Sequence, residues 1–444
     1  MVERVLGLLE EKKYNELKSL LESMNSADIA TILGEIEDED MTVVYRLLNK
    51  DAAAETFAFM ESDLQERLIS AMTDKELQDV TSKLFLDDTI ALIGEMPAGI
   101  VKRILRQADP AKRKLINELL NYPSDSAGSV MTIEFVDLRE NMTVAQAFDR
   151  IRQVGVNKET IYTCYALDEG RRIRGLVTAK DLMLNDQNTL ISDIMEKDPV
   201  VVNTLEDKED AVKKFDKYDL LSIPVVDQEN RMVGIITIDD AVDVMKDENT
   251  EDFEKMAALN PSEDTYFRTS VFKHAKNRIV WLLALMLSAT VTGLLITKYE
   301  NAFAAIPLLV AFIPMLMDTG GNCGSQTSTL VIRGLAIDEI KSRDYIRVLW
   351  KEVRVAALVG TALAVVNGAR ILIQYKDFNM ALVVGLTLIC TVVISKMLGC
   401  TLPMVAKRLK LDPALMAAPL ITTIVDTCSI VIYFKIAMKV MHLS

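Results

Sequence analysis

Short amphipathic segments dominate the first part of the chain. In residues 1–123, apolar residues recur at positions i, i+3 and i+4 in segments such as ADIATILGEI and LQERLISAM, with polar breaks between them. This spacing gives each segment one apolar stripe and predicts a short helix. A series of such helices is typical of an α-solenoid. We therefore predict a helical N-terminal domain over 1–123, which either regulates the rest of the chain or serves only as a scaffold.

An alternation of strands and helices follows in residues 124–245, and it occurs twice. The segments RIRGLVTAKDLM and RMVGIITIDDAV superpose, which aligns Gly175 with Gly234. Each copy combines a strand hairpin with a helix that is opened by an acidic residue. The pattern predicts two related α/β domains. After them, the acidic segment 246–270 predicts a connecting helix.

The remaining residues, 271–444, contain five apolar stretches of about 20 residues or more, the length that a helix needs to cross a hydrocarbon core of about 30 Å. We predict membrane spans at 280–297, 302–330, 356–373, 381–405 and 413–434. The predicted fold class is therefore multi-domain: an α-solenoid, an α/β pair, a connecting helix and an all-α membrane domain of five helices.

Charge divides the chain in a similar way. Residues from 271 onward carry 18 Lys and Arg against 9 Asp and Glu, whereas the preceding residues carry 32 against 55. Basic residues concentrate before the first span, between spans 2 and 3, and between spans 4 and 5, so these segments are predicted to be cytoplasmic. We expect a multi-pass plasma-membrane protein with a cytoplasmic N-terminus and an extracytoplasmic C-terminus. The acidic half disfavours nucleic acid as a partner and favours cations.

The predicted spans contain carboxyl groups that hydrocarbon does not solvate. Asp426 interrupts the fifth span, PLITTIVDTCSIVIYF, where a lone charge costs about 2.5–3.5 kcal/mol on insertion scales. Thr422 lies one helical turn before it on the same face. The second span, FIPMLMDTGGNCGSQTSTLVIRGLA, carries Asp318. Asp426 is predicted either to face a wet pathway or to pair with Lys396. For Asp318, a pairing with Lys396 is favoured over a place at the mouth of the pathway.

Oxygen atoms at these positions suit a hard cation. Carboxylate, carbonyl and amide oxygens are the ligands of Mg²⁺, which also retains several of its own waters. The chain has two histidines, and its five cysteines form no C-x-x-C pair, so zinc and copper are disfavoured. The sequence shows no nucleophile–base pair, phosphate-binding glycine loop or metal-hydrolase motif, so no enzyme is predicted.

The order of these segments resembles the MgtE family of magnesium channels, and the repeated α/β unit resembles a tandem pair of CBS (cystathionine β-synthase) domains. The motifs that carry the first resemblance are GGNCGSQTSTLVIRGLA, LDPALMAAPLITTIVD and the acidic GIITIDDAVDV with TEDFEK. The resemblance implies a homodimeric channel for Mg²⁺ influx. It also implies that Asp426 is the principal pore ligand of a largely hydrated ion, with the backbone of Thr422 nearby. The residues implied to line the pore are Asn322, Ser325, Gln326 and Ala418.

The same resemblance implies that cytosolic Mg²⁺ closes the channel by bridging acidic residues of the N-terminal domain, the CBS pair and the connecting helix. The matching residues are Asp88, Asp207, Glu209, Asp219, Asp240, Asp243, Glu248, Glu251 and Asp252. Some members of the family bind ATP between the CBS domains. Here Thr163 and Leu220 replace the aromatic residues expected beside the adenine, which disfavours ATP. Ser325 and Ala418 replace two asparagines of the family, so the preference among Mg²⁺, Mn²⁺, Co²⁺ and Ca²⁺ stays open.

Two other interpretations also stay open. One is a CBS-regulated transporter of another divalent cation or of a different small solute. A transported anion would call for basic or aromatic residues in the spans in place of Asp426, and the spans do not offer them. The other is a membrane-anchored sensor, which would respond to metal ions without carrying a flux.

Overall fold

The computed structural model describes residues 1–262, 266, 269–299, 306–416 and 418–442. The chain forms two compact units, Met1–Lys246 and Asp247–Ser444. The first unit contains the predicted helical and α/β domains. The second contains the end of the connecting helix and the predicted membrane helices.

Ten short helices build the N-terminal domain. They are α1 (Val2–Glu10), α2 (Tyr14–Glu22), α3 (Ser26–Gly34), α4 (Asp38–Leu47), α5 (Lys50–Ala58), α6 (Ser62–Ala71), α7 (Asp74–Thr81), α8 (Leu86–Glu95), α9 (Ala98–Gln107) and α10 (Pro110–Leu119). Thr73 opens α7 with a capping box, and the side chains of Asn25 and Asn49 cap α3 and α5. The apolar stripes meet in one core, in which Leu33 and Phe57 are fully buried. The prediction of a helical N-terminal domain is confirmed.

Two small sheets form the α/β part. Their strands are β1 (Val136–Arg139), β2 (Thr163–Leu167), β3 (Ile173–Thr178), β4 (Glu196–Lys197), β5 (Val202–Asn203), β6 (Ser222–Val226) and β7 (Met232–Thr237). The helices are α11 (Val144–Val154), α12 (Ala179–Leu184), α13 (Ile191–Ile194) and α14 (Lys208–Tyr218). In the first sheet β2 lies parallel to β1 and antiparallel to β3, and β6 has the same relation to β5 and β7. The repeated topology confirms two related α/β domains.

Gly175 and Gly234, which the sequence repeat aligns, occupy equivalent positions in β3 and β7. A Cβ atom on Gly175 would lie 2.6 Å from the carbonyl oxygen of Glu196, and one on Gly234 would lie 2.6 Å from that of Thr132. The backbone therefore passes too close to either position for a side chain. The repeated glycine reflects this close approach, which occurs once in each α/β domain.

The connecting segment begins within a continuous helix, α15 (Ile238–Met256). This helix starts directly after β7 and runs without a break through residue 246, where the sequence predicts the connecting segment to start. Residues 246–256 of the connecting segment are therefore a direct extension of the last helix of the second α/β domain. The prediction of a connecting helix over 246–270 differs from the structure beyond Met256, where α15 ends, and residues 263–265, 267 and 268 lie outside the described residues.

Five long helices form the described part of the C-terminal unit. They are α16 (Val271–Lys298), α17 (Ile313–Ala336), α18 (Tyr345–Tyr375), α19 (Phe378–Arg408) and α20 (Ala418–Met441). All but α17 are long and apolar enough to cross a membrane. The predicted span 302–330 differs from the structure, because a 3-10 turn, Pro307–Phe312, precedes α17, which continues to Ala336. Residues 302–305 of this prediction lie outside the described residues. Pro307 and Pro314 each lie at the start of a helical segment, where the missing N–H is tolerated.

Helix α17 packs closely against α19 and α20 because glycines line the contacts. A Cβ atom on Gly324 would lie 2.6 Å from Cγ2 of Ile421, and one on Gly399 of α19 would lie 2.5 Å from the carbonyl oxygen of Gly324. Small residues let membrane helices approach this closely, and van der Waals contact then holds them together. The polar segment of α17 is thus fixed against both neighbouring helices.

Candidate functional site

One face of α17 carries polar side chains. Asp318, Asn322 and Gln326 follow one another at intervals of four residues and are exposed, and Ser325 beside them is half-buried. Intervals of four residues place side chains on one side of a helix. The opposite side, which includes Thr327, is buried. In the predicted second span, an exposed row of carboxyl and amide groups would have to meet water or protein rather than lipid. We call these four residues the polar stripe.

Asp426 lies on α20, the helix that packs against α17. The residue is half-buried, and its Oδ1 atom is buried without a hydrogen-bond partner among the described residues. Asp318 of the polar stripe is close enough for its charge to act on Asp426. Two carboxyl groups therefore share this part of the membrane domain, where mutual repulsion disfavours both charges unless a cation is present.

Lys396 pairs with neither of these carboxylates. Its ammonium group donates a hydrogen bond to Oγ1 of Thr327 at 3.0 Å and lies 3.5 Å from Oε2 of Glu352 in α18. The predicted pairing of Lys396 with Asp318 is therefore wrong, and so is the alternative pairing with Asp426. The sequence did not indicate the true partner because the loop expected to contain Glu352 is in fact the beginning of α18.

The threonines around Asp426 are accommodated by their own helix and by α17. A Cβ atom on Gly321 would lie 2.9 Å from Cγ2 of Thr422, so Thr422 packs directly on α17. Thr423 and Thr427 donate their hydroxyl groups to carbonyl oxygens one turn earlier, at 3.0 and 3.1 Å. These hydroxyl groups are thus satisfied without water. The side chain of Ala418, predicted to line the pore, lies outside the described residues.

A second concentration of carboxylates lies in the first unit. Asp87 of α8, Glu134 before β1 and Glu159 before β2 each place a carboxylate oxygen within 4.8 Å of the others. Glu134 also accepts a hydrogen bond from the backbone N–H of Leu86 at 2.9 Å. Oε2 of Glu159 is buried and has no hydrogen-bond partner in the described part of the chain. We call these three residues the acidic cluster. Converging carboxylate oxygens with one left unsatisfied suit a hard divalent cation.

Burial raises the pKa of carboxyl groups in and around the acidic cluster. Desolvation and the repulsion of neighbouring carboxylates raise the pKa to about 9 for Asp87, about 8 for Glu159, about 7 for Asp240 and about 6 for Asp88. Lys112 is also present, but its ammonium group donates to two backbone carbonyl oxygens, and burial lowers its pKa. A bound divalent cation would relieve this accumulation of negative charge.

Two of the predicted sensing residues, Asp88 and Asp240, lie beside the acidic cluster, and their charges act on its members. Three others belong to α14 or its ends. Asp207 caps the start of that helix, Glu209 forms an ion pair with the lysine one turn later at 2.7 Å, and Asp219 ends it in the left-handed conformation. None of these three belongs to the acidic cluster.

The remaining predicted sensing residues lie on α15; they are Asp243, Glu248, Glu251 and Asp252. Glu251 shares Lys255 with Asp412, which lies in the segment between α19 and α20. Nζ of Lys255 is 2.6 Å from Oε1 of Glu251 and 2.7 Å from Oδ2 of Asp412. Burial alone would lower the pKa of Lys255, but its hydrogen bonds with the two carboxylates raise the pKa above its usual value. An ammonium group therefore joins the connecting helix to the segment that leads into α20.

Sequence analysis missed all three members of the acidic cluster. Asp87 directly precedes the predicted Asp88, so the paired acids at the start of α8 were an available signal. Glu134 and Glu159 lie in separate loops of the first α/β domain, and no periodicity marks them. Only the packing of α8 near that domain brings the three carboxylates together.

Among the described residues, the C-terminal helices contain two neighbouring carboxyl groups, Asp318 and Asp426, and the first unit contains the acidic cluster. These features are typical of a membrane protein that binds or transports cations. Residues 313–436 match the MgtE family, described as a divalent cation transporter, residues 24–125 match the MgtE intracellular N domain, and residues 127–187 and 191–247 match CBS domains. The magnesium transporter MgtE of Thermus thermophilus is 34% identical over 434 residues, which cover 97% of this chain and 96% of the relative. The chain belongs to the MgtE family.

Further relatives agree with this assignment. The magnesium transporter MgtE of Bacillus subtilis is 29% identical over 442 residues, or 100% of this chain and 98% of the relative. The solved cytosolic domain of the Mg²⁺ channel MgtE in complex with ATP is 32% identical, with a TM-score of 0.52, and covers 55% of this chain and 100% of that one. The solved soluble part of a magnesium transporter is 27% identical, also with a TM-score of 0.52, over 56% and 97% of the two chains.

Proposed function

We propose that the chain is a divalent-cation channel that admits Mg²⁺ to the cell down its electrochemical gradient. The observation that carries this proposal is Asp426, a carboxylate in an apolar helix with an unsatisfied oxygen and a second carboxylate, Asp318, as its charged neighbour. An anion pathway would not place two acids together, and the buried Lys396 is engaged elsewhere. The relatives named as magnesium transporters support Mg²⁺ as the ion.

The polar stripe of α17 supplies the rest of the proposed pathway. Asn322, Ser325 and Gln326 offer amide and hydroxyl groups on the side of the helix that also carries Asp318. Mg²⁺ dehydrates reluctantly, so these groups would contact its water shell while Asp426 supplies negative charge. Because lipid does not solvate the stripe, a second copy of the chain would cover it and complete a pore between the two copies.

The membrane potential is sufficient to drive influx in this proposal. About 2.3 kcal/mol is available per elementary charge for each 100 mV, and Mg²⁺ carries two charges. In this proposal the soluble domains lie in the cytoplasm and the C-terminus lies outside the plasma membrane, which the distribution of basic residues in the loops supports. Transport of this kind requires neither ATP hydrolysis nor a coupled ion.

Cytosolic Mg²⁺ closes the channel in the same proposal. An ion held by Asp87, Glu134 and Glu159 would neutralise their negative charges. It would thereby offset both the desolvation of the buried carboxylates and their mutual repulsion. The N-terminal domain and the first CBS domain, which contribute these residues, would then be held together. When the ion leaves, Asp87 and Glu159 take up protons, because their pKa values of about 9 and about 8 lie above neutral pH, and the bridge between the two domains is lost. The movement would pass along α15, whose Lys255 holds Asp412 in front of α20.

The substitution Asp426→Asn tests the channel proposal, because it keeps the shape of the side chain and removes its charge. We expect it to abolish Mg²⁺ influx into proteoliposomes while the protein inserts normally. Asp338→Asn is the matched control, because Asp338 is exposed between α17 and α18 in a left-handed conformation that asparagine also adopts. Undiminished influx with Asp426→Asn would refute the proposed pore. Mg²⁺-dependent protease protection of the unsubstituted protein without flux would indicate a sensor instead.

We also propose that ATP binding, which the relative solved with ATP supports, is weaker in this chain. Neither position implied to stack on the adenine offers a ring. Thr163 is buried at the start of β2, and Leu220 packs against the core of the first unit. Calorimetric titration of the full chain with ATP tests this, and a micromolar dissociation constant would refute it.

A further inference from the structure

Three helices of the C-terminal unit meet at one buried polar point. Thr327 of α17, Glu352 of α18 and Lys396 of α19 form a closed group, which we call the polar joint. The Thr327 hydroxyl donates to Oε2 of Glu352 at 2.9 Å and accepts from Nζ of Lys396 at 3.0 Å, while Nζ lies 3.5 Å from the same carboxylate oxygen. Thr327 is fully buried, and Lys396 is 5% exposed.

Stability alone does not explain such a group. Charged residues inside a membrane domain are costly and rare, and replacing a buried ion pair by apolar residues is often neutral or stabilising. Neither Lys396 nor Glu352 belongs to the proposed pore ligands. The partner that connects them to the pathway is Thr327, because it lies on the helix that carries the polar stripe.

The position of Thr327 on α17 shows what the polar joint holds. Thr327 lies two and a half helical turns after Asp318 and therefore on the opposite side of the helix. Cys323, one turn before Thr327, is also buried on that side, where it packs with Ala356 and Val392. A rotation of α17 about its axis would move the polar stripe and expose this cysteine. The polar joint opposes such a rotation with hydrogen bonds to a charged pair, which are stronger than neutral ones.

We propose that Lys396 and Glu352 are positioning residues, which act through Thr327 to fix the rotation of α17 and so the direction in which the polar stripe faces. The inference rests on the proposed cation pathway, because the direction of the stripe matters only if ions pass it. An ion pair that merely stabilised the bundle would have no effect on which face of α17 is accessible in a folded protein.

A matched pair of substitutions at Thr327 separates the two roles. Thr327→Val keeps the shape of the side chain and removes the hydroxyl group, whereas Thr327→Ser keeps the hydroxyl group. The native Cys323 reports the rotation in a chain whose other four cysteines are replaced by serine or alanine. We expect a thiol reagent to label Cys323 about tenfold faster with Thr327→Val. This factor corresponds to a free energy of exposing the thiol that is lower by about 1.4 kcal/mol. Labelling with Thr327→Ser should match that of the unsubstituted Thr327.

A second set of variants keeps the test decisive if valine disturbs folding. Glu352→Gln with Lys396→Met removes both charges together, so no buried charge is left alone. We expect faster labelling of Cys323 and a changed ability of Ca²⁺ to compete with Mg²⁺ uptake. The single substitution Lys396→Arg preserves the charge, so Cys323 labelling and Ca²⁺ competition should match those of the unsubstituted chain. Protected Cys323 and unchanged competition in the folded double variant would overturn the inference.

The labelling measurement does not require conduction, so the two proposals fail separately. If the parent chain carries no flux but Cys323 becomes accessible with Thr327→Val, the positioning role stands and the proposed function fails. If the parent chain conducts Mg²⁺ and none of the variants changes labelling, the proposed function stands and the positioning role fails.

Discussion

The charged residues within the membrane domain differ in their partners, and the partner indicates the role. Lys396 and Glu352 neutralise each other through Thr327 and leave no charge for an ion. Asp426 has an unsatisfied oxygen and another acid as its charged neighbour. Burying a charge in a membrane domain costs free energy for each of these residues. A paired charge therefore fixes helices, whereas an unpaired one is available to a cation.

Glu159→Gln tests the acidic cluster at the same scale. Above the Glu159 pKa of about 8, the amide removes a charge that burial disfavours, so at pH 9 the Mg²⁺-free protein should be stabilised by about 1–3 kcal/mol, the typical cost of an unsatisfied buried polar group. The stabilisation added by Mg²⁺ should shrink. Chemical unfolding of the detergent-solubilised chain with and without Mg²⁺ measures both effects, with the exposed Glu169→Gln as the control. An unchanged response to Mg²⁺ would remove Glu159 from the proposed site.

Helices of this chain differ in how well their sequences reveal them. The short helices α1 to α10 have a regular apolar spacing, and α3, α5, α7 and α10 also have side-chain caps, so local sequence is sufficient to predict them. Helix α17 is interrupted by glycine and polar residues because it packs closely on α19 and α20 and carries the polar stripe. Its start at Ile313 follows from proline positions that hydropathy does not weigh.

The junction at the end of α15 gives a prediction at the scale of elements. Lys255→Met removes the hydrogen bonds to Glu251 and Asp412, each worth about 1.5–3 kcal/mol when a charge is involved. We expect Mg²⁺ influx to become less sensitive to Mg²⁺ on the cytoplasmic side, because α15 no longer holds the segment before α20. Flux into proteoliposomes at graded internal Mg²⁺ measures this.

An exchange of charges provides the control for this junction. Lys255→Asp combined with Asp412→Lys reverses both partners and should restore the dependence on internal Mg²⁺, whereas either substitution alone should not. If the channel with Lys255→Met closes at the same internal Mg²⁺ concentration as the unsubstituted channel, the junction does not couple α15 to the closing of the pore.

At the scale of the whole molecule, acidic residues make stability depend on pH and on metal ions. Asp87, Asp88, Glu159 and Asp240 all have raised pKa values in the folded chain. The folded state therefore binds more protons than the unfolded state between about pH 4 and pH 9. Stability without Mg²⁺ should fall as pH rises through this window, and it should be highest near its acidic end as far as these groups are concerned.

Thermal unfolding of the full chain in detergent tests this dependence. In a chelator, the melting temperature should decrease from pH 5 to pH 9, with Glu134, Asp239 and Lys112 as the other charged groups that act on the four carboxyls. Saturating Mg²⁺ should reduce the decrease, because the ion replaces the protons. A melting temperature that rises over this range without Mg²⁺ would contradict the assignment.

The sequence by itself determined the elements and the family. Apolar periods, the repeated glycine strand and long apolar stretches are local properties, and they predicted the helical domain, the two α/β domains and the membrane helices. The position of Asp426 in an apolar run was also visible, because the cost of a buried charge depends on its immediate surroundings.

Only the tertiary structure decided which charges meet. Glu352 and Lys396 come from different helices, and Asp87, Glu134 and Glu159 come from one helix and two loops. Electrostatic interaction depends on distance in space and on burial, and neither is set by separation along the chain. For this reason the sequence predicted the wrong partner for Lys396 and missed the acidic cluster, although it contained every residue of both.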